Sequence, residues 1–242
     1  MLDIKNDKLA IPVVVFAGLL WSFGPLVVRN MDDPGLIPWQ YLFARGLVIF
    51  FLLNIYLFFE EGIEFYKNYL KIGIAGIIGG VGLGTAMITF IWSITNTSAA
   101  ITLLCLSAMP FITALLGFLF LKEKIRPSVW VAIFVASIGV AIMAFDSVSI
   151  GSLNGLIYGL ASALGFSIFS VSLRWKKETP KFTTVAVAGL FCCLFSIAIL
   201  IQKDLNFLSS SKNQGLFALH GTLVCLGLIL YSIGSKNLPA AE

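Results

Sequence analysis

Long apolar runs alternate with short polar segments along the whole chain. A helix that crosses a membrane needs about 20 mostly apolar residues. Eight runs have about this length, at 10–29, 38–59, 71–94, 98–121, 127–145, 153–173, 182–201 and 214–234. These runs lack the alternation of barrel strands, and irregular backbone cannot face lipid. The pattern therefore predicts an all-α membrane protein.

Composition agrees with this interpretation, since 59% of the residues are hydrophobic and 12% are charged, against about 25% charged residues in a typical soluble domain. The first run holds Trp21, Pro25 and Arg29 with no small-residue cleavage site close behind, so we expect a retained span rather than a signal peptide. All four cysteines lie in apolar runs without CxxC spacing, which favours packing over disulfides or zinc. We expect no metal and no other cofactor.

The basic residues are distributed unevenly between the two sides of the predicted bundle. With the N-terminus in the cytoplasm, the outer side holds Arg29, Lys203 and Lys212. The inner side then holds Lys5, Lys8, Lys67, Lys71, Lys122, Lys124, Arg126, Arg174, Lys176, Lys177, Lys181 and Lys236. Cytoplasmic loops are enriched in Lys and Arg, so we expect a cytoplasmic N-terminus. The net charge of +4 belongs to this bias, and no nucleic-acid partner is expected.

Two stretches of the first half return in outline in the second half. The first stretch, GLLWSFGPLVVR at 18–29, resembles ALGFSIFSVSLR at 163–174, and this alignment places Trp21 on Phe166. The second stretch, FIWSITNTSAA at 90–100, resembles YSIGSKNLPAA at 231–241. An odd number of helices precedes the second copy, so it enters the membrane in the opposite orientation. Inverted repeats are a recurrent architecture of transporters. We expect a first five-helix repeat at 1–147 and an incomplete second one at 148–242.

Three stretches also carry a resemblance to a known family. These are GLLWSFGPLVVR, PWQYLFARGLVIFFLL and TSAAITLLCLSAMPFITALLGFLFLKEKI, at 18–29, 38–53 and 97–125. Together they resemble the EamA-like families of the drug/metabolite transporter superfamily. The resemblance implies two inverted five-helix bundles with ten spans, and movement of small metabolites across the cytoplasmic (inner) membrane.

The chain departs from that plan at its end, where the second copy stops as a ninth helix should begin. The counterparts of Pro110 and Glu123 would fall near positions 251 and 264 by the offset of the second repeat pair. We expect a gene fragment or a truncated record of a ten-helix protein. A working eight-helix variant is the alternative.

Arg45 is the most informative polar residue of the spans. It lies about seven residues into the second run, which places it roughly 10 Å from the outer boundary at about 1.5 Å per residue. A charged residue inside a membrane is a functional hypothesis by default. Arg45 would then attract a substrate carboxylate or phosphate, or hold helices through carbonyl groups. The alternative is that its side chain snorkels to the outer headgroups.

Pro110 interrupts the fourth run and leaves the carbonyl of Leu106 without its usual donor. Thr102 and Ser107 lie close by in sequence, and broken helices often mark the binding site of a transporter. The alternative is a packing kink that neighbouring hydroxyl groups satisfy.

Aromatic residues and one histidine complete the candidate substrate site. Trp21 lies mid-span beside Ser22, whereas Trp92 and Tyr41 lie near the outer boundary, where aromatic belts are ordinary. His220 is the one histidine of the chain, and it is either a hydrogen-bonded core residue or a proton relay. The predicted substrate-binding residues are Trp21, Ser22, Arg45, Trp92, Thr102, Ser107, Pro110 and His220.

No Asp or Glu lies within the eight predicted spans. A proton-coupled carrier usually needs a buried carboxylate, so a facilitator, an exchanger or a carrier driven by substrate charge fits better. We expect a multi-pass transporter of amino acids or related organic solutes, with efflux as one direction, working by alternating access and not as an enzyme. Its partners would be the lipid bilayer and a small-molecule substrate, with a homodimer left open. The alternative is a non-transporting fragment or a membrane scaffold or assembly subunit.

Overall fold

The structure is a computed structural model that describes residues 7–33, 37–149, 153–176 and 178–234. Helices account for most of these residues, and no strand occurs among them. The helices are α1 (Asp7–Ser22), α2 (Gly24–Arg29), α3 (Pro38–Glu61), α4 (Lys67–Lys71), α5 (Gly73–Asn96), α6 (Ala99–Leu106), α7 (Met109–Leu121), α8 (Pro127–Ser149), α9 (Leu153–Trp175), α10 (Lys181–Gln202) and α11 (Ser211–Gly234), with a 3-10 turn at Gly62–Tyr66. The prediction of an all-α membrane protein is confirmed.

Seven segments within the described residues are long and apolar enough to cross a membrane. They correspond to seven of the eight predicted runs. The remaining run, 127–145, is helical throughout as part of α8. The helices extend beyond the predicted runs by one or more residues at several ends, so that Glu60 and Glu61 become the last residues of α3.

Two of the spans are broken near their middle, and each break is followed by a proline. The first span is divided at Phe23 into α1 and α2, and Pro25 lies in the first turn of α2. The fourth span is divided at Ser107–Ala108 into α6 and α7, and Pro110 lies in the first turn of α7. Proline has no N–H to give the carbonyl four residues earlier, which is that of Trp21 in one span and of Leu106 in the other.

The helices pack mainly in five pairs, which are α5 with α9, α3 with α10, α5 with α10, α1 with α11 and α3 with α11. Glycines let the backbones approach closely in these pairs, as small residues do in membrane helices. A Cβ added at Gly46 of α3 would lie 2.7 Å from the carbonyl oxygen of Gly189 in α10. One added at Gly165 of α9 would lie 2.6 Å from the carbonyl oxygen of Gly82 in α5.

Polar contacts tie the ends of different spans together. At the predicted outer end, the Asn213 side chain accepts from the backbone N–H of Asp32 and donates to its carbonyl oxygen, at 2.9 and 3.1 Å. Lys212 donates to the Asp32 carboxylate, and this hydrogen bond holds the pKa of Asp32 below its ordinary value. At the predicted inner end, Arg174 Nη1 donates to both carboxylate oxygens of Glu123 at 3.0 Å.

Some sequence predictions fall on residues outside the described ranges. These are the end of the second repeat at 235–241 and three of the basic residues used for orientation, Lys5, Lys177 and Lys236.

Candidate functional site

A cavity of about 380 Å³ lies between the helices, near the middle of their lengths. Ligand pockets for small molecules begin at about 300 Å³, so the cavity has the size for a small metabolite. It is lined by Gly18, Trp21, Ser22, Arg45, Leu83, Ala86, Met87, Phe90, Leu103, Leu106, Ser107, Met109, Ser162, Phe166, His220, Val224 and Leu228. Five of the predicted substrate-binding residues are at this wall, namely Trp21, Ser22, Arg45, Ser107 and His220.

Arg45 is held inside the bundle and does not reach toward the outer headgroups. Its residue is 2% exposed, so the snorkelling alternative is wrong. Nη2 donates to the carbonyl oxygen of Met87 in α5 at 2.8 Å, and Nη1 donates to the Tyr41 hydroxyl at 3.5 Å. The guanidinium carbon also lies 5.3 Å from the centre of the Tyr41 ring, a cation–π contact. The Nε–H of Arg45 is buried and has no hydrogen-bond partner.

Tyr41 links Arg45 to His220. The Tyr41 hydroxyl is hydrogen-bonded to Nδ1 of His220, and the two rings are stacked. A guanidinium can only donate, so the Tyr41 oxygen accepts from Arg45. In the Tyr41–His220 bond either side can be the donor, according to the tautomer of the imidazole.

Another part of the wall is aromatic, because Trp21 of α1 and Phe166 of α9 line the cavity and Tyr231 of α11 packs against both rings. The Trp21 and Phe166 rings meet edge to face at 5.4 Å between centroids, and Tyr231 lies 5.7 Å from Trp21 and 5.1 Å from Phe166. The Trp21 indole N–H donates to the carbonyl oxygen of Val224 at 3.4 Å. Gly227 of α11 makes room for the indole, because a Cβ at that position would overlap it.

The two helix breaks open onto the cavity. Ser22 ends α1, Leu106 ends α6, and Met109 begins α7, and all three line the wall. The hydroxyls of Ser22 and Ser107 donate to carbonyl oxygens of their own helices at 2.7 and 2.6 Å. Their oxygen lone pairs remain available to a bound molecule. Pro110 is not at the wall, although it produces one of the breaks.

Two predicted residues lie away from the cavity. The hydroxyl of Thr102 is buried 2.9 Å from that of Ser93, which in turn donates to the carbonyl oxygen of Gly155 at 2.7 Å. Trp92 packs between Trp39 and Tyr158, at 5.3 and 6.2 Å between ring centroids. Both residues join helices, and neither is among the residues that line the cavity.

Sequence reasoning did not select Met87, Ser162 or Phe166 as site residues. Phe166 could have been found, because the internal repeat aligns it with Trp21. Ser162 lines the wall while its hydroxyl donates to the carbonyl oxygen of Ala86 at 2.9 Å. Met87 contributes its backbone to Arg45, and an apolar side chain gives no sequence signal for that role.

The chemistry of the wall is that of a binding site. Among the described residues that line the cavity, Arg45 is the one Lys, Arg, Asp or Glu, and most of the others are apolar. Within the described ranges, no three His, Cys, Asp or Glu residues are grouped so that they could hold a metal ion. A cation in an apolar cavity can hold an anionic group while the walls cover the rest of a small molecule.

Comparisons with known proteins are consistent with this geometry. The model of a family described as the EamA-like transporter family matches residues 8–145. The chain is 27% identical over 238 residues to the uncharacterized transporter YojE of Bacillus subtilis, covering 91% of this chain and 74% of that protein. It is 31% identical over 235 residues to an uncharacterized transporter of Vibrio cholerae, covering 94% of this chain and 73% of that protein.

A solved crystal structure shares the fold. It superposes with a TM-score of 0.69 at 18% sequence identity, and the match covers 98% of this chain and 82% of the other. The arrangement of helices described above is therefore one that an experimentally determined protein adopts.

Proposed function

The chain belongs to the EamA-like transporter family, and from that premise we propose that it carries small metabolites, amino acids or related organic solutes, across the cytoplasmic membrane. The observation that supports this most directly is the cavity of about 380 Å³ near the middle of the helices, where two broken spans meet a buried cation. Transporters place their substrate sites at this depth and commonly build them from discontinuous helices.

We propose alternating access between two inverted repeats, 1–147 and 148–242, as the mechanism. In that scheme α1–α2 corresponds to α9, α3 to α10 and α5 to α11. If the two halves exchange places, the contact between α1 and α11 takes the position of the contact between α9 and α5. The contact between α3 and α10 keeps its own position. A two-fold axis in the membrane plane requires such a set of pairs, so the packing supports this proposal.

The polar contacts at the two ends of the bundle fit such a cycle. The Asp32–Lys212 contact joins the first repeat to the second at the predicted outer end, and Glu123–Arg174 joins them at the predicted inner end. A carrier that rocks about a central site has to separate one set of contacts while it keeps the other. The Asp32–Lys212 pair is exposed, so water can replace it at little cost, whereas the Glu123–Arg174 pair is more buried and costs more to separate.

Coupling to protons has little support from the cavity wall. Among the described residues that line the cavity there is no carboxylate. We propose a facilitator, an exchanger or a carrier driven by the charge of its substrate.

Flux into proteoliposomes tests the proposal. The protein expressed from its complete reading frame is purified, reconstituted and presented with labelled amino acids and organic acids, with protein-free liposomes as the control. Saturable flux of at least one solute is expected. Absence of saturable flux across the panel contradicts a transporter and favours the alternative of a scaffold or assembly subunit.

A further inference from the structure

We propose that the cavity selects an organic monoanion, a carboxylate on an apolar body that bears no ammonium group, over a zwitterionic amino acid. This inference rests on the proposed function, and it narrows the substrate class of the same cavity. It starts from the charges that the wall offers to a bound molecule.

The wall presents one full positive charge and no negative one. Arg45 is the one Lys, Arg, Asp or Glu among the lining residues of the described chain, and its contacts include a carbonyl oxygen, a hydroxyl, an aromatic ring and the thiol of Cys192. None of these neutralises the charge. A buried charge without a partner is costly, so an anion that enters the cavity supplies the missing compensation.

The donors of Arg45 are not exhausted by the protein. The Nε–H has no partner, and the contact of Nη1 with Tyr41 is long at 3.5 Å. A guanidinium presents five N–H donors in a planar fork that suits the two oxygens of a carboxylate. The protein therefore does not use all the donors of the guanidinium.

The broken helices do not change the net charge of the site. The end of α6 at Leu106 brings partially negative carbonyl groups to the cavity, and the start of α7 at Met109 brings partially positive N–H groups. The two ends lie a few residues apart and carry opposite partial charges, so they cancel to a first approximation. The carboxylate of a zwitterion would pair with Arg45 but leave its own ammonium group uncompensated, whereas a monoanion makes the site neutral.

The other lining residues determine what kind of body the bound carboxylate carries. Trp21, Phe90 and Phe166 present rings, and Leu83 and Leu228 present aliphatic groups. Burial of apolar surface against them is favourable at about 25 cal/mol per Å². A compact apolar or aromatic body on the carboxylate fits this surface.

Competition binding to the detergent-purified protein, expressed from its complete reading frame, tests the inference. The probe is labelled 3-phenylpropanoate, and the competitors are 3-phenylpropanamide, phenylalanine and 3-phenylpropylamine, which share the apolar body and differ in charge. We expect the carboxylate to bind at least about tenfold more tightly than each of the others, which corresponds to about 1.4 kcal/mol. Equal affinity for the amide or for phenylalanine, or no binding of any probe at millimolar concentration, overturns the proposal.

Variants locate the selectivity at Arg45. Arg45→Gln should bring the affinity for the carboxylate down to that for the amide and leave the amide unchanged, and Arg45→Lys should keep the preference for the carboxylate. The control is Lys67→Gln, which removes an exposed cation at the start of α4, away from the lining residues, and should change neither affinity. Equal loss of carboxylate and amide binding in Arg45→Gln overturns the proposal. If Arg45→Gln does not fold, the lysine variant and the native comparison still decide.

The two proposals fail in different ways. Saturable flux confined to neutral or zwitterionic solutes leaves the transporter in place and removes the monoanion. Selective binding of 3-phenylpropanoate without flux of any solute leaves the anion site in place and removes transport.

Discussion

The rings of Trp21 and Phe166 meet edge to face, with centroids 5.4 Å apart. The internal repeat aligns these same two positions, and Gly46 and Gly189, which lie at nearly the same offset, also touch each other. In a two-fold arrangement, residues close to the axis contact their own counterparts. We therefore expect the proposed axis to pass near the aromatic wall of the cavity and through the α3–α10 contact.

The α3–α10 contact should tolerate no added volume. A methyl group at position 46 would lie 2.7 Å from the Gly189 oxygen and 2.8 Å from the Cys193 nitrogen, both backbone atoms that cannot move alone. Gly46→Ala should lower the free energy of unfolding by about 1–3 kcal/mol and the Tm in detergent by several degrees.

Gly139→Ala is the matched control, because a Cβ there meets nothing within 4 Å. Its effect should stay within about 0.5 kcal/mol. Equal Tm values for the two variants would show that the helices are not in close contact at Gly46.

The Glu123–Arg174 pair should stabilise the fold, because its side chains are only 36% and 17% exposed. A double-mutant cycle of Glu123→Gln and Arg174→Gln should give a coupling free energy of at least about 0.5 kcal/mol. Thermal unfolding of the four proteins in detergent measures it.

The comparison pair is Glu64–Lys67, whose side chains are 73% and 45% exposed. Its coupling should be about 0–0.5 kcal/mol. A coupling at Glu123–Arg174 no larger than this would mean that the ion pair does not hold the two ends together.

Replacement of Thr102 should lower the stability of the protein and leave substrate binding unchanged. Thr102→Val removes the hydroxyl that faces Ser93, with an expected loss of about 0.6 kcal/mol in unfolding free energy. The KM for the transported solute should stay within about twofold of that of the native protein, whereas Trp21→Ala, at the wall, should raise it about tenfold or more. Flux measurements on both variants check this, and a KM shift in Thr102→Val as large as that in Trp21→Ala would restore Thr102 to the site.

The sequence predicts best those structural features that depend on residues close together in the chain. Apolar runs of about 20 residues located the spans, because that length alone crosses a bilayer. Pro110 predicted the break in the fourth span, because the missing N–H is a property of the residue itself. The break at Phe23 was not expected, although Pro25 carries the same signal.

The candidate site is less local, and the sequence predicts less of it. Arg45 stood out as a charge in an apolar run, but its acceptor is the carbonyl oxygen of Met87, 42 positions away in another helix. Thr102 is close to the Pro110 break in sequence, yet its hydroxyl faces Ser93. The spacing of residues along one helix shows which side chains lie on the same face of that helix. Which other helix this face contacts depends on how all the spans pack together.

The orientation of the chain can be read with single cysteines. Position 33 lies between α2 and α3 and position 176 follows α9, and both residues are exposed. With a cytoplasmic N-terminus, Asp33→Cys should react with a membrane-impermeant maleimide on intact cells, and Lys176→Cys should react only after lysis. The four native cysteines are buried and can stay in place. Labelling in the reversed pattern would place the N-terminus outside.

Cross-linking across the aromatic wall tests the central claim most directly, namely that the substrate passes through the cavity as the two halves move. Cysteines at positions 21 and 166 are joined with a short, reducible bifunctional reagent in proteoliposomes, and saturable flux is measured before and after reduction. The control pair is at positions 118 and 130, whose rings also meet, at 5.9 Å, but on the exposed surface of α7 and α8. The account predicts that the 21–166 link stops flux, that reduction restores it, and that the 118–130 link has no effect. Undiminished flux through the 21–166 link would contradict it.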